Sequence, residues 1–334
     1  MERLHVSRRQ ILKAGAVVVA GLVLDPRAVF AQEREGHESM GPFSPWTKPV
    51  NLGPVVNSSF NEYHPAISND GRSLYFSSDR QPGGFGNNDI WVSQRENLDA
   101  PWGPPTHLGP NINSDLNEFA PDFSSDGHWL FFSRATLAGA NDPAIWSSHR
   151  EHVHNDFGWE PAVKLAGEIN QADLDQNAPT FFHDEETGIT TIYFNSVKRL
   201  DGLPLGLGDY DIYASTRRAD GAFGPGVLVP ELCSPKRDTR TAIRRDGLEM
   251  FIGSNRVGGS GQIDLWVSTR ATTLNLWSKP VNLGETVNSA ADDGGPALSF
   301  DGTALYFYST RSGGFGGRDL YVTTRTRLTG EHAS

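Results

Sequence analysis

One block of about thirty residues is written at both ends of this chain, almost residue for residue. Residues 65–95 read PAISNDGRSLYFSSDRQPGGFGNNDIWVSQR and residues 296–325 read PALSFDGTALYFYSTRSGGFGGRDLYVTTR. The block opens with a short apolar run that stops at Asp70-Gly71, a pair that tolerates the positive φ angles of a tight hairpin. The aromatic run Ser73-Leu74-Tyr75-Phe76-Ser77 follows, then the glycine loop Gly83-Gly84-Phe85-Gly86. A third run, Asp89-Ile90-Trp91-Val92-Ser93, alternates polar and apolar positions. A fourth, Trp102-Gly103-Pro104-Pro105-Thr106-His107-Leu108-Gly109, has the pattern of Trp46-Thr47-Lys48-Pro49-Val50-Asn51-Leu52-Gly53 near the start of the chain.

Four strands in a repeat of roughly 55 residues, with no helical period between them, predict a propeller blade. A lone blade leaves both faces exposed, so several must stack around an axis before any is stable. Five copies are legible, with first to third strands in 62–95, 118–150, 177–217, 238–270 and 293–325. Fourth strands follow the first four copies at 102–109, 159–167, 223–229 and 277–284, but the fifth copy has none. The spare segment 46–53 is therefore expected to complete the last blade and close the ring, removing sheet edges that would otherwise pair with other chains. The expected fold is an all-β, five-bladed propeller of four-stranded antiparallel blades, a single domain over 46–334. The 36 Gly, 21 Pro and 10% aromatic residues suit it.

Residues 1–31 read as an export signal. Ser7-Arg8-Arg9-Gln10-Ile11-Leu12-Lys13 resembles the twin-arginine signal, with a short apolar stretch over 14–24 and a cleavage site at Val29-Phe30-Ala31. The apolar stretch is too short to span a bilayer. A periplasmic or secreted protein is expected, with 32–45 as a flexible lead-in and no membrane span after cleavage. Loss of five basic and two acidic residues with the signal takes the net charge from −11 to −14, which opposes nucleic-acid binding. The single cysteine, Cys233, excludes an internal disulfide and reads as a small buried residue.

The repeated pattern Ser-x-Asp-Gly-x-x-Leu-Tyr-Phe-x-Ser-x-Arg, then Gly-Gly-x-Gly and Asp-Ile-Trp/Tyr-Val, resembles the TolB-type, WD-like propeller repeats over about residues 46–325. The resemblance implies the fold and leaves the activity open, because such propellers serve as binding platforms, envelope components and enzymes.

In a propeller the first strand of each blade lies nearest the axis. The loops leading into it, such as Asn57-Ser58-Ser59-Phe60-Asn61, share one face with the glycine loops, and chemistry is expected there; the Asp-Gly turns lie on the other. Three residues before the strand's proline stand Glu62, Glu118, Gln176, Asp238 and Asp293, and the second strands end near Arg80, Arg134, Arg199, Arg256 and Arg311. Paired carboxylates can do acid and base work on a sugar, so Glu62, Glu118, Asp238 and Asp293 are catalytic candidates. Arg80, Arg256 and Arg311 are ligand-binding candidates. Recurrence in every blade favours a structural role for both sets, as for Asp89, Asp211, Asp264 and Asp319.

Function is better sought where the copies differ. One residue before the proline position, three blades have Ala120, Ala178 and Gly295, but the others carry His64 and Arg240. Blade 4 adds Lys236 and Arg237, a cationic cluster suited to carboxylate, sulfate or phosphate, or to neutralising nearby acids. The apolar insertion 198–209 in blade 3 caps the channel, meets a partner or packs on its neighbour. Blade 2 replaces the glycine pattern with residues 138–143. His149, His152 and His154 lie on the wrong face and read as surface histidines. No metal or cofactor is expected, and the protein is expected as a monomer.

The leading expectation is a propeller holding a small anionic or carbohydrate ligand, or a partner protein segment, at the channel mouth through His64, Arg240, Lys236 and Arg237. The alternatives are a glycan-acting hydrolase or lyase and a structural component of a cell-envelope complex. Free carboxylates across an open pocket would favour the enzyme; carboxylates all bound to their own blade's arginine would favour the binding module.

Overall fold

The computed structural model describes residues 43–135, 143–171, 175–197 and 207–328. The segment expected to be an export signal, most of the expected lead-in, Arg199, most of the blade 3 insertion and residues 138–142 lie outside them. No helix among the described residues is long and apolar enough to cross a membrane.

Among the described residues twenty strands form five four-stranded antiparallel sheets, the five blades of a propeller. The innermost strands are Glu62–Ile67, Asn117–Phe123, Asp175–His183, Asp238–Ile243 and Asp293–Leu298. Each turns back into its second strand at a polar hairpin. In blade 1, Gly71 sits at φ 69°, and Asp70 accepts hydrogen bonds from the Ser68 hydroxyl at 2.6 Å and the Arg72 amide at 3.1 Å. This is the Asp-Gly chemistry that tight turns require.

The ring closes as expected. The strand Val50–Asn51 is the outer strand of blade 5, with Val50 opposite Val322 and Asn51 opposite Tyr321. The pairing runs on toward the N-terminus through Thr47 N–H to Thr324 O at 2.8 Å and Ser44 N–H to Thr326 O at 2.9 Å. Arg325 stacks over Phe43 and Trp46, 3.8 and 4.4 Å from their ring centroids, while both its terminal nitrogens bond to Glu249 of blade 4. Arg150 on Trp159 and Arg270 on Trp277, at 4.4 and 4.2 Å, repeat this stack in blades 2 and 4, so the tryptophan of the closing segment occupies a standard socket.

What holds the blades together lies between them. Each of five apolar clusters draws on two neighbouring blades: Tyr75 and Ile90 meet Leu130 and Phe132, for example, and Leu74 and Phe76 meet Tyr306 and Leu320. Each fully buried aliphatic or aromatic side chain contributes about 1.5–3 kcal/mol, realised only when the next blade is in place. A backbone bond stitches every junction: Glu62 N–H to Arg318 O, Glu118 to Asn88, Gln176 to Pro143, Asp238 to Tyr210 and Asp293 to Ile263, at 2.7–3.1 Å. Glycine is needed where loop meets blade, because a Cβ on Gly86, Gly208, Gly261 or Gly316 would strike the backbone of the next blade's leading loop, at Leu116, Lys236, Ala291 and Phe60 respectively.

Deleting residues 43–53 leaves blade 5 with three strands and an open edge. The expected result is a fall in melting temperature of roughly 10 °C or more, read by circular dichroism; an unchanged melt would refute the clasp.

Candidate functional site

The ring of carboxylates comes first because it sets where the axis begins. Glu62, Glu118, Asp238 and Asp293 have side chains with no exposed surface, and each is paired with its own blade's arginine: Arg80 at 2.9 Å, Arg134 at 2.7 Å, Arg256 at 2.5 Å and Arg311 at 2.6 Å. Each carboxylate also accepts a backbone bond from the serine four residues earlier: Ser58, Ser114, Ser234 and Ser289. Each arginine reaches on to a carbonyl of the same loop, at Val56, Ile112, Leu232 and Val287. The set is a clamp that ties the leading loop to the end of the second strand.

This corrects two expectations. A carboxylate with no exposed surface and every oxygen engaged cannot reach a substrate, so Glu62, Glu118, Asp238 and Asp293 lack the geometry of catalytic acids. Arg80, Arg256 and Arg311 are likewise taken up by the clamp and offer little to a ligand. Burial raises the pKa of Glu118, against the pull of Ser114 and Arg134. In blade 3 Gln176 replaces the acid and bonds to Gln171 O at 3.1 Å. Asp89, Asp264 and Asp319 are structural in the same sense, each accepting backbone bonds from its own glycine loop.

Just after the clamp, every inner strand carries a bulge, between Tyr63 and Ala66 in blade 1 and at the matching place in the others. His64, Ala120, Ala178 and Gly295 occupy it at φ 48–63°, the left-handed region that side chains rarely adopt. The Ser77 and Ser133 hydroxyls hold the bulges of the following blades, accepting the Ala120 and Ala178 amides at 3.0 and 2.9 Å. At the position of these serines the other three blades carry Asn195, Gly253 and Tyr308. The symmetry of the repeat is broken on this level.

His64 and Arg240 are axial, as expected. Arg240, from blade 4, donates from Nη2 to Pro121 O of blade 2 at 2.6 Å, and these blades are not neighbours, so its side chain crosses the channel. It is 2% exposed, with Nε and Nη1 buried and unpartnered. Burial lowers its pKa to about 10, opposed by Asp122, and it stays charged at neutral pH. The ring of His64 packs against Tyr63 and Tyr308, with centroids 4.8 and 6.2 Å away, and its Nδ1 is buried without a partner. Burial first, then Arg240, Arg318 and Arg237, hold its pKa well below the usual value, so the imidazole is neutral. Asn177 and Asn195, facing each other in blade 3, each keep a buried side-chain oxygen without a partner.

The space left by the small residues is partly taken. A Cβ on Gly294 would meet the Tyr308 hydroxyl at 2.8 Å, and one on Gly295 would meet His64 and Tyr308 at 2.9 Å. Around this mouth Arg237 is exposed and stacks on Tyr210 at 4.4 Å, and Lys236 is exposed beside it. Arg318, also exposed, lies 5.6 and 5.4 Å from the rings of Tyr63 and Tyr308. Sequence reasoning missed Arg318. The signal was there: the residue before the recurring third-strand aspartate is Asn88, Tyr210 and Ile263 in other blades, and arginine only in blade 5.

Beyond Arg240 the channel opens again on the Asp-Gly-turn face. A cavity of about 100 Å³ there is lined from all five blades, by Asn69, Asp122, Phe181, Arg245 and Ser299 among others. Chemistry was expected at the other mouth, where the leading loops and glycine loops meet. Asp122 accepts the Phe181 amide at 2.7 Å, and burial lifts its pKa to about 6 against the opposing pull of Arg240.

The remaining motifs are structural. His149 pairs with Glu160 at 3.3 Å and His154 with Asp70 at 3.2 Å, both on the exposed outer side, and no group of three potential ligands for a metal ion occurs among the described residues. Cys233 donates to Val229 O at 3.2 Å, and burial raises its pKa, which makes it a poor nucleophile.

The class this fold defines is thus the five-bladed β-propeller. No protein-family model matches the sequence, and a search of curated proteins found no match. Solved structures with the same fold include a thermostable family-43 glycoside hydrolase, at 14% identity and TM-score 0.54 over 85% of this chain and 95% of that one. The α-L-arabinofuranosidase of Podospora anserina, solved with cellotriose, matches at 12% identity and TM-score 0.54 over 84% and 98%. A family-43 enzyme of Xanthomonas citri, solved with xylotriose, matches at 15% and 0.52 over 83% and 89%. At these identities the likeness concerns the fold. The resemblance to TolB-type repeats likewise holds at the level of the propeller fold.

Two outcomes follow from the site. Glu118→Gln should cost about 3 kcal/mol in chemical denaturation, because it leaves Arg134 buried without its counter-charge, and adding Arg134→Met should recover part of that; a variant as stable as the parent would remove the clamp from the account. Asp122 titrates higher in the folded protein than its ordinary 3.8, so its contribution to stability is full below that value and is lost as pH rises through about 6. The stability of the parent relative to Asp122→Asn should fall across that window in thermal melts, and a flat difference would contradict the shift.

Proposed function

We propose that this propeller is glycan-directed and takes a carbohydrate at the glycine-loop mouth of its channel. The observation that carries the reading is the set of buried, unpartnered polar groups on one axial level. Arg240 offers two donors, Asn177 and Asn195 offer acceptors and His64 offers Nδ1, while the rings of Tyr63 and Tyr308 stand beside them. Buried polar atoms without partners are uncommon, and hydroxyl groups of a sugar would satisfy both the donors and the acceptors. Aromatic faces suit the apolar faces of a sugar ring. The twin-arginine pattern at 7–13 supports placing this binding in the periplasm or outside the cell.

A second reading, hydrolysis of the glycan, is favoured by the fold-level likeness to arabinofuranosidases and family-43 hydrolases, some of them solved with xylotriose or cellotriose. Hydrolysis needs two carboxyl groups flanking the scissile bond, about 5–9.5 Å apart. The four clamp acids do not meet that need, and Asp122, the axial acid with a raised pKa, lines the cavity on the other side of Arg240, so a hydrolytic reaction would use that cavity rather than the glycine-loop mouth.

Calorimetric titration of the signal-free protein with arabino-, xylo-, cello- and uronate oligosaccharides, alongside an assay for released reducing ends, tests both readings. Binding without release supports a binding module, and release lost in Asp122→Asn supports the hydrolase. Arg240→Gln, verified as folded by its melting curve, should weaken binding about tenfold or more, the equivalent of roughly 1.4 kcal/mol. Failure of every saccharide to bind would refute the glycan reading.

A further inference from the structure

Arginine is used in two ways in this protein. In the clamps and the outer stacks it is consumed by carboxylates and carbonyls, as at Arg80, Arg134 and Arg325. At the glycine-loop mouth Arg237, Arg240 and Arg318 have no carboxylate within ion-pair distance among the described residues, although the mature chain carries an excess of acids. Asp79 and Asp292 stand near the same rim, where their charge is felt at Tyr63 and Tyr308. Asp79 accepts two bonds from Asn61, at 2.8 Å each, and neither it nor Asp292 forms an ion pair with these three arginines, while the acid that acts on Arg240 is Asp122, from the far side of the channel.

The three cations are also held in place. Arg237 lies over Tyr210, Arg318 lies beside Tyr63 and Tyr308, and Arg240 is fixed across the channel by Pro121 O. A guanidinium stacked on a ring keeps its N–H edges free, and its planar fork loses little freedom on meeting an anion. The histidine beside them is neutral, so it adds a hydrogen-bonding nitrogen without another charge. A buried cation with unused donors is costly unless something occupies them, and an anion satisfies both the charge and the donors, which a neutral hydroxyl does only in part.

We propose that the saccharide received at this mouth is acidic, with an anionic substituent, carboxylate or sulfate, docked against Arg240 and flanked by Arg318 and Arg237. The assignment rests on the reading of this mouth as the glycan site and adds the charge of the ligand and the role of Arg318. Arg318 is exposed and covers the Tyr63 and Tyr308 rings of the seam from outside, and a glutamine there keeps the backbone carbonyl that accepts the Glu62 amide across the junction.

The test is calorimetric titration at neutral pH of the signal-free protein with cellotriose and galactotriose, the uronate trisaccharides of matching linkage, and the 6-sulfated forms of the two neutral trisaccharides. An acidic trisaccharide should bind at least about tenfold more tightly than its neutral counterpart, a difference that narrows with added salt as the Debye length shortens. Arg318→Gln should reduce that preference severalfold, and Arg237→Gln should do so less. Whether the uronates or the sulfated forms show the preference identifies the group, and either supports the proposal. Equal affinity for neutral and acidic members overturns it while leaving the glycan reading intact, and so does a preference that Arg318→Gln and Arg237→Gln leave unmoved. Binding of no member overturns both.

Discussion

A carboxylate with no exposed surface, held by the arginine that ends the next strand, is the interaction on which the rest of this propeller depends. Four blades contain it. Such a pair is a poor source of net stability, because stripping water from both ions costs several kcal/mol that the attraction only offsets. What it supplies is position. The carboxylate and the arginine together bind a serine amide, a serine hydroxyl and a loop carbonyl, so the leading loop, the inner strand and the second strand meet in one geometry. The bulge that follows two residues later is thereby set at the same height in these four blades, and the bulge is what turns His64 and Arg240 to the axis.

The seams convert that local precision into a ring. A blade's apolar faces find partners only on its neighbours, and the backbone bond at each junction starts from the clamp residue itself: Glu62, Glu118, Gln176, Asp238 or Asp293. Closure through residues 43–53 is therefore more than an edge repair. The bond from Glu62 to Arg318 carries a blade 5 residue to the rim beside His64, so the same junction that joins the first blade to the last also completes the mouth.

The architecture was legible in the sequence because repetition amplifies weak signals. Asp70-Gly71, the aromatic second strands and the unmatched segment 46–53 led to five blades and to the closing strand. The axial placement of His64 and Arg240 was legible too, since both break a pattern of small residues. The structural role of the clamp was legible from its recurrence, but not whether its acids also serve the channel, because a ring of acids beside a ring of arginines looks alike in sequence whether the charges face a channel or each other, and only the fold decides. Arg318 escaped notice because it sits at the end of a glycine loop, next to an aspartate that recurs, and attention to the aspartate hid the variation beside it. The cavity beyond Arg240 could not be read at all, because its lining comes from residues after the bulge of all five inner strands, and their meeting depends on the ring diameter.

The separation of charge has a consequence for recognition. The acids of the clamps and glycine loops are engaged internally. The axis, by contrast, holds Arg240 buried in low dielectric, with Asp122 as its nearest acid at the far side. An interaction between unit charges is several times stronger there than at the screened surface. An anion approaching the protein as a whole meets repulsion that salt screens within about 10 Å, whereas one seated at the mouth meets the buried Arg240 with less screening than the exposed Arg237 and Arg318. A symmetric scaffold that hides its own acids can in this way present one positive spot, and the departures from the repeat, at His64, Arg237, Arg240, Tyr308 and Arg318, are all gathered around it.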